Sequence, residues 1–241
     1  MNNYTYVTLV STDDFLWGAV CMILSLKKSG NKYPVCVLVS EACKKETKWF
    51  FKNWDQVIYK EIPNYLFKED TNEIYFPFSK ENYFNYYRCT LQKFEVFKLT
   101  EFDKVFFLDA DYIIKGNIDN LLDKYDYNFD DRRTVATKET WPSSLIRGQH
   151  FIVKPSLDLY NKLWAYTKEH PEVYPEEYIM TEVLRDYIVV DGPAWGGTGL
   201  GKLIPGTHYA GGHPKYWVKY EIDSMEKAEA AVEARLKEDI F

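Results

Sequence analysis

The sequence predicts an α/β fold, a mixed and mainly parallel sheet flanked by helices, as one domain over residues 1–241. Three observations predict it. Short β-branched and apolar runs alternate with longer helix-patterned segments in the N-terminal quarter. Hydrophobic residues make up 46% of the chain, enough to bury a full core at this length. No internal repeat, low-complexity tract or linker composition divides the chain.

The elements follow in order. "YVTLVS" (6–11) reads as a buried strand, and the polar group Ser11-Thr12-Asp13-Asp14 caps the helix "FLWGAVCMILSLKKSG", which ends at Gly30. "PVCVLVS" (34–40), a charged helix near 44–53 and "QVIYKEI" (56–62) complete a β-α-β-α-β opening. Residues 63–89 are irregular and aromatic, and "TLQKFEVFKLTEF" (90–102) has helical spacing. Strands are expected at "KVFFLDA", 134–139 and 149–155, and helices at 156–170 (capped by Ser156) and 176–187. The segment 191–217 holds most of the 12 glycines and has the composition of a loop system built around a ligand. Residues 223–241 form an amphipathic helix with Asp223 and Glu226 as a cap pair, packing on the domain or on a partner.

Composition excludes several classes. A net charge of −6 disfavours a nucleic-acid binder, which needs a basic face. The four cysteines show no metal-ligand spacing and read as buried, reduced thiols. Neither a signal-peptide pattern nor a membrane-spanning apolar run is present, so a cytoplasmic protein is expected. A homodimer is compatible with the sequence.

The most informative stretch is "KVFFLDADYIIKGNIDNLL", Lys104 to Leu122. A buried strand runs directly into Asp109-Ala110-Asp111, and a buried carboxylate must protonate, find a partner or bind a metal. In an open α/β sheet this is the ligand-binding end of a strand. Two carboxylates one residue apart suit a hard divalent cation, Mn2+ or Mg2+, carrying a diphosphate. A surface turn that caps the next helix is the plainer alternative, which the preceding "VFFL" disfavours. Phosphatases of the haloacid dehalogenase type also place D-x-D after an apolar strand. Their motif usually sits near the N-terminus with Thr or Val two residues on, whereas here it is at mid-chain with Ile113 in that place.

With these motifs in view, the chain resembles the retaining glycosyltransferases of the glycogenin and lipopolysaccharide galactosyltransferase group (family 8, GT-A fold). "VTLVSTDDFLWGA" (7–19) is similar to that family's opening strand and turn, and the likeness implies a uridine pocket at Leu9, Ser11, Thr12 and Phe15. "KFEVFKLTEFDKVFFLDADYIIKGNIDNLL" (93–122) is the nearest stretch. It implies Asp109 and Asp111 as metal and diphosphate contacts, Ala110 beside the ribose and Lys93 as a donor-binding lysine. "GTHYAGGHPKYW" (206–217) resembles the family's H-x-x-G-x-x-K-P-W, implying His208 as third metal ligand and Gly211 and Lys215 on the diphosphate. Imidazole beside two carboxylates suits manganese better than calcium. Lys215 falls one place late, and His213 has no family counterpart.

Two departures bear on the sugar. The family's N-S-G is replaced by Arg147-Gly148-Gln149, with Gln149 on the donor side. The family's D-Q, placed near 181, is replaced by Thr181-Glu182. Glu182 is then either a catalytic carboxylate facing the reacting centre, together with Asp109 and Asp111, or a solvated helix residue. The resemblance implies transfer from a UDP-sugar, of the UDP-glucose or UDP-galactose type, to an acceptor glycan or glycoconjugate hydroxyl. The acceptor is expected over the C-terminal loops near Trp195 or Trp217, each of which is as readily a core residue. A non-catalytic UDP-sugar or metal binder is the rival reading; self-glycosylation on one of the 20 tyrosines has no specific support.

Overall fold

The computed structural model describes residues 3–64, 89–124, 134–138, 146–170, 176–184, 188–193, 204–208 and 215–237. Nine strands are found among them: β1 (Tyr4–Val10), β2 (Val35–Ser40), β3 (Ile58–Ile62), β4 (Lys104–Leu108), β5 (Tyr112–Ile114), β6 (Thr134–Lys138), β7 (Ile146–Val153), β8 (Ile188–Pro193) and β9 (Gly206–His208). Helices are α1 (Leu16–Lys28), α2 (Lys45–Lys52), α3 (Asp119–Lys124), α4 (Leu157–Glu169), α5 (Glu176–Val183), α6 (Tyr216–Lys219) and α7 (Met225–Leu236). A seven-stranded sheet has the order β3-β2-β1-β4-β7-β6-β8, and β5 pairs with β9 in a separate ribbon. β7 runs antiparallel to both β4 and β6, while the pairs among β1 to β4 and between β6 and β8 are parallel. The expected mixed, mainly parallel sheet is therefore observed.

The sequence pattern explains the layering. A strand buried on both faces has no polar side, and β1, β2 and β4 are buried throughout. Phe106 and Leu108 join Tyr6, Val37 and α1 on one face, while Val105 and Phe107 join Leu38, Phe97 and Leu163 on the other. α1 is buried from Gly18 to Leu26 because the sheet covers one side and α7 packs on the other. The C-terminal helix thus docks on its own chain. Its Lys28–Glu233 ion pair (2.5 Å) is exposed and contributes little beside the apolar contact.

Local signals place the helix ends. Gly30 takes φ 77° and closes α1, with its N–H donating to the Lys27 carbonyl. Ser156 caps α4, its hydroxyl accepting from Leu159 N. In α7 the cap is Ser224, whose Oγ accepts from Lys227 N, rather than the expected Asp223. Asp223 lies one residue too far out for that bond and instead pairs with the Lys227 ammonium at 2.9 Å.

The stretch 90–102 differs from its expected helix. A 3-10 segment spans Gln92–Lys98, and Gln92 through Phe97 are buried. Polar side chains inside it are tied in different directions: Gln92 donates to Ser40, Lys93 to Glu176, and Glu95 accepts from Tyr160. These anchors override the 3.6-residue period. Also unforeseen are β5, β8, β9, α3 and α6, whose short lengths carry little periodicity.

β9 lies against β5 only because residue 206 lacks a side chain. A Cβ there would sit 2.3 Å from the Ile113 carbonyl oxygen. Gly206→Ala is expected to destabilise the protein by about 1–3 kcal/mol. Urea unfolding, read by circular dichroism, measures it; an unchanged midpoint would show that the ribbon yields easily.

Candidate active site

From β1 the chain moves outward through β2 and β3, then returns on the other side of β1 as β4. Where strand order reverses in this way, the loops leaving two neighbouring carboxyl ends diverge and open a crevice. Here those loops carry Ser11–Phe15 after β1 and Asp109–Asp111 after β4.

A cleft of about 490 Å³, counting space open to solvent, occupies that position. β1 and its turn contribute Leu9, Ser11 and Phe15, and the β4 turn contributes Asp109, Ala110 and Asp111. Lys215 enters from the C-terminal segment, and Cys89, Thr90 and Lys93 from the segment before β4. The structure thus gathers eight residues that the sequence nominated from regions far apart. Cys89 and Thr90 were not nominated, since nothing in their local pattern marks them.

The remaining nominated residues fall as follows. Thr12 shapes the turn, its carbonyl accepting from Phe15 N at 3.1 Å. Gln149 holds Asp109 from behind, its carbonyl accepting from Asp109 N at 2.9 Å. Of His208 the structure describes the backbone, which pairs in register with Tyr112, next to Asp111. Gly211, His213 and Trp195 lie outside the described residues. Trp217 is a core residue: it is 4% exposed, packs on Phe15 (centroids 5.9 Å apart) and donates from Nε1 to the Asp14 carbonyl. It pins the β1 turn to the C-terminal segment, and a Cβ at Gly18 would meet its ring at 2.7 Å.

The two aspartates hold lysine ammoniums. Lys93 Nζ lies 3.0 Å from Asp109 Oδ1 and 2.8 Å from Glu176 Oε1, and also donates to the Gly148 carbonyl at 3.2 Å. Its three N–H donors therefore meet three acceptors, so contact with a donor phosphate requires one of them to be exchanged. Burial opposes its charge, but the carboxylates of Asp109 and Glu176 outweigh that and hold it above the ordinary lysine value. Lys215 Nζ lies 2.5 Å from Asp111 Oδ2. Asp109 keeps 25% of its side chain exposed, whereas Asp111 keeps 8%.

Such a cleft, with two acids after a buried strand, is consistent with several nucleotide-binding folds. A family model decides among them: "Glycosyl transferase family 8" matches residues 6–172. The chain belongs to glycosyl transferase family 8. Glycogenin-1 of Homo sapiens is 28% identical over 173 residues, covering 70% of this chain and 44% of that protein. Galactinol synthase 3 of Arabidopsis thaliana is 29% identical over 137 residues, covering 56% of this chain and 38% of that protein. The chain thus spans less than half the length of these relatives. Among solved structures, the galactosyltransferase LgtC in complex with donor and acceptor sugar analogues superposes with a TM-score of 0.64 at 12% identity, covering 98% of this chain and 97% of that one. The fold is that of the GT-A glycosyltransferases.

In this family 8 chain the acids that meet Lys93 and its neighbours are at the start of α5. Glu176 is buried against Lys93, and Glu177 Oε1 accepts from Gly148 N at 3.0 Å. Glu182, the nominated carboxylate, lies in the last turn of the same helix instead of its first. Thr181 binds locally, its Oγ1 accepting from Ile146 N and donating to the Glu177 carbonyl. A Cβ at position 148 would lie 2.8 Å from Glu176 Oε1, so a glycine lets both acids close on β7. An adjacent acid pair at a helix start is so ordinary a dipole pairing that the sequence did not single it out.

Burial, reinforced by the charge of Glu176, pushes the Glu177 carboxyl up to about 7, against the pull of the Gly148 N–H, Lys93 and Arg147. A carboxyl raised on folding contributes its full stability below its unfolded pKa, near 4.5, and loses it as pH rises through about 7. Glu177→Gln should therefore flatten the fall in Tm between pH 5 and 8, removing up to about 3 kcal/mol of pH dependence. Thermal melts across that range measure it, and parallel curves for the two proteins would show that Glu177 stays charged throughout.

Proposed function

We propose that this family 8 protein is a metal-dependent glycosyltransferase. It moves a sugar from a UDP-sugar, of the UDP-glucose or UDP-galactose type, to an acceptor hydroxyl on a glycan or glycoconjugate, with retention at the anomeric carbon. The observation that carries the reading is the switch-point cleft itself, in which Leu9, Ser11 and Phe15 share one space with Asp109, Asp111, Lys93 and Lys215. The names of the relatives, glycogenin, galactinol synthase and a galactosyltransferase, support hexosyl transfer. Retention, and uridine as the base, rest on the family likeness of 93–122 and 7–19.

The donor set fits a divalent cation. Two hard carboxylates leave one strand end, the His208 backbone is in register with Tyr112, the residue after Asp111, and each carboxylate already attracts a cationic group. Asp109, Asp111 and His208 would hold Mn2+ or Mg2+, which when bound supplies Lewis-acid neutralisation of the departing diphosphate. In transfer, the bond from the anomeric carbon to the diphosphate oxygen breaks, the acceptor oxygen forms the new bond on the same face, and its proton passes to the departing diphosphate oxygen. Lys215 leaves Asp111 and pairs with phosphate oxygens, keeping its charge in the cleft. Lys93 stays on Glu176 and Gly148 and holds Asp109 in place. Phe15, backed by Trp217, closes the nucleotide end against water.

The test is UDP release from a panel of UDP-sugars, with and without Mn2+, including slow donor hydrolysis without acceptor. One donor is expected to stand out in the presence of metal, and Asp109→Asn to lower its turnover at least 100-fold, on the order of 3 kcal/mol or more of barrier. Turnover by Asp109→Asn near the wild-type rate would remove the metal role. UDP binding with no turnover of any donor would identify a non-catalytic family member.

A further inference from the structure

Asp109-Ala110-Asp111 is a turn between two sheets that share no strand. β4 belongs to the large sheet and β5 to the ribbon with β9, so the turn's shape depends on how the ribbon is held. A buried side-chain bond does this. The Tyr112 hydroxyl and His150 Nδ1 share a hydrogen bond of 2.7 Å, with Tyr112 5% and His150 1% exposed. Their rings meet edge to face at 77°.

Each partner sits one step from the acids. His150 is on β7, in register with Leu108, the residue before Asp109, and its neighbour Gln149 accepts from Asp109 N. Tyr112 follows Asp111 directly, and its backbone is in register with His208. The large sheet therefore grips Asp109 through a backbone bond and Tyr112 through a side-chain bond, from two consecutive residues of one strand. Neither Tyr112 nor His150 lines the cleft, so substrate contact does not explain a buried polar pair whose two members each need a partner.

We propose that Tyr112 and His150 are positioning residues for the divalent cation: their bond fixes β5 on the large sheet and so sets the relative placement of Asp109, Asp111 and the His208 strand. This rests on the metal reading above. A rigid second layer of this kind typically changes metal affinity by about 10- to 100-fold when removed.

The experiment is Mn2+ titration of the purified chain, without nucleotide, read by the loss of the hydrated-ion electron paramagnetic resonance signal, with Tm recorded in parallel. Tyr112→Phe deletes one oxygen and keeps the ring. It is expected to bind Mn2+ about tenfold more weakly than wild type. His150→Phe should behave likewise, and His150→Asn, which keeps a polar atom in the Nδ1 position, should recover most of the affinity. Lowered Tm with Mn2+ affinity within about twofold of wild type would overturn the proposal and leave the pair a packing element. An equal loss in His150→Asn and His150→Phe would overturn the assignment to the hydrogen bond. If the wild-type chain takes up no Mn2+, the metal reading fails and this inference with it.

Discussion

Two carboxylates at the end of a fully buried strand repel each other and lose hydration, and the surrounding structure is organised around offsetting that cost. Lys93 and Lys215 bring ammoniums to Asp109 and Asp111 at 3.0 and 2.5 Å. They arrive from segments far apart in the chain, one before β4 and one near the C-terminal helix. Lys93 is itself buried, so it needs Glu176 and the Gly148 carbonyl, and Glu176 closes on β7 because residue 148 has no side chain. A buried ion pair adds little net stability over an apolar isostere, yet is costly to break singly. Its value here lies in holding charge at one point in the fold.

That point is fixed by topology. The order β2-β1-β4 opens the crevice, and Trp217 closes its flank by tying the β1 turn to the C-terminal segment. The two lysines are cations held where a metal and a diphosphate are proposed to bind. Asp111 is the deeper of the two acids and is met by Lys215, whose segment enters from outside the sheet, whereas Lys93 is locked on three sides. Lys215 keeps 24% of its side chain exposed against 8% for Lys93, so in the proposed binding exchange falls on Lys215 before Lys93.

Much of this was legible in the sequence because it was local or strongly patterned. "VFFL" running into Asp109 and Asp111 marked both a two-face-buried strand and the end at which the cleft opens, and Gly30 and Ser156 marked helix ends through backbone chemistry. Reading failed where the deciding contact is distant. The 3-10 form of Gln92–Lys98 comes from anchors on β2, α4 and α5. β9 has three residues and owes its existence to Gly206 against Ile113. Glu176 and Glu177 looked like ordinary first-turn acids, and only the fold brings them to Lys93 and Gly148.

The central claim is that Asp109 and Asp111 form a divalent-cation site that Lys215 vacates. Anomalous diffraction at the manganese edge, from crystals grown with Mn2+ and UDP, tests it most directly. The account predicts one strong peak between the two carboxylates, with Lys215 Nζ moved from Asp111 onto the diphosphate. Density for UDP in the cleft with no anomalous peak there, and Lys215 still on Asp111, would contradict it.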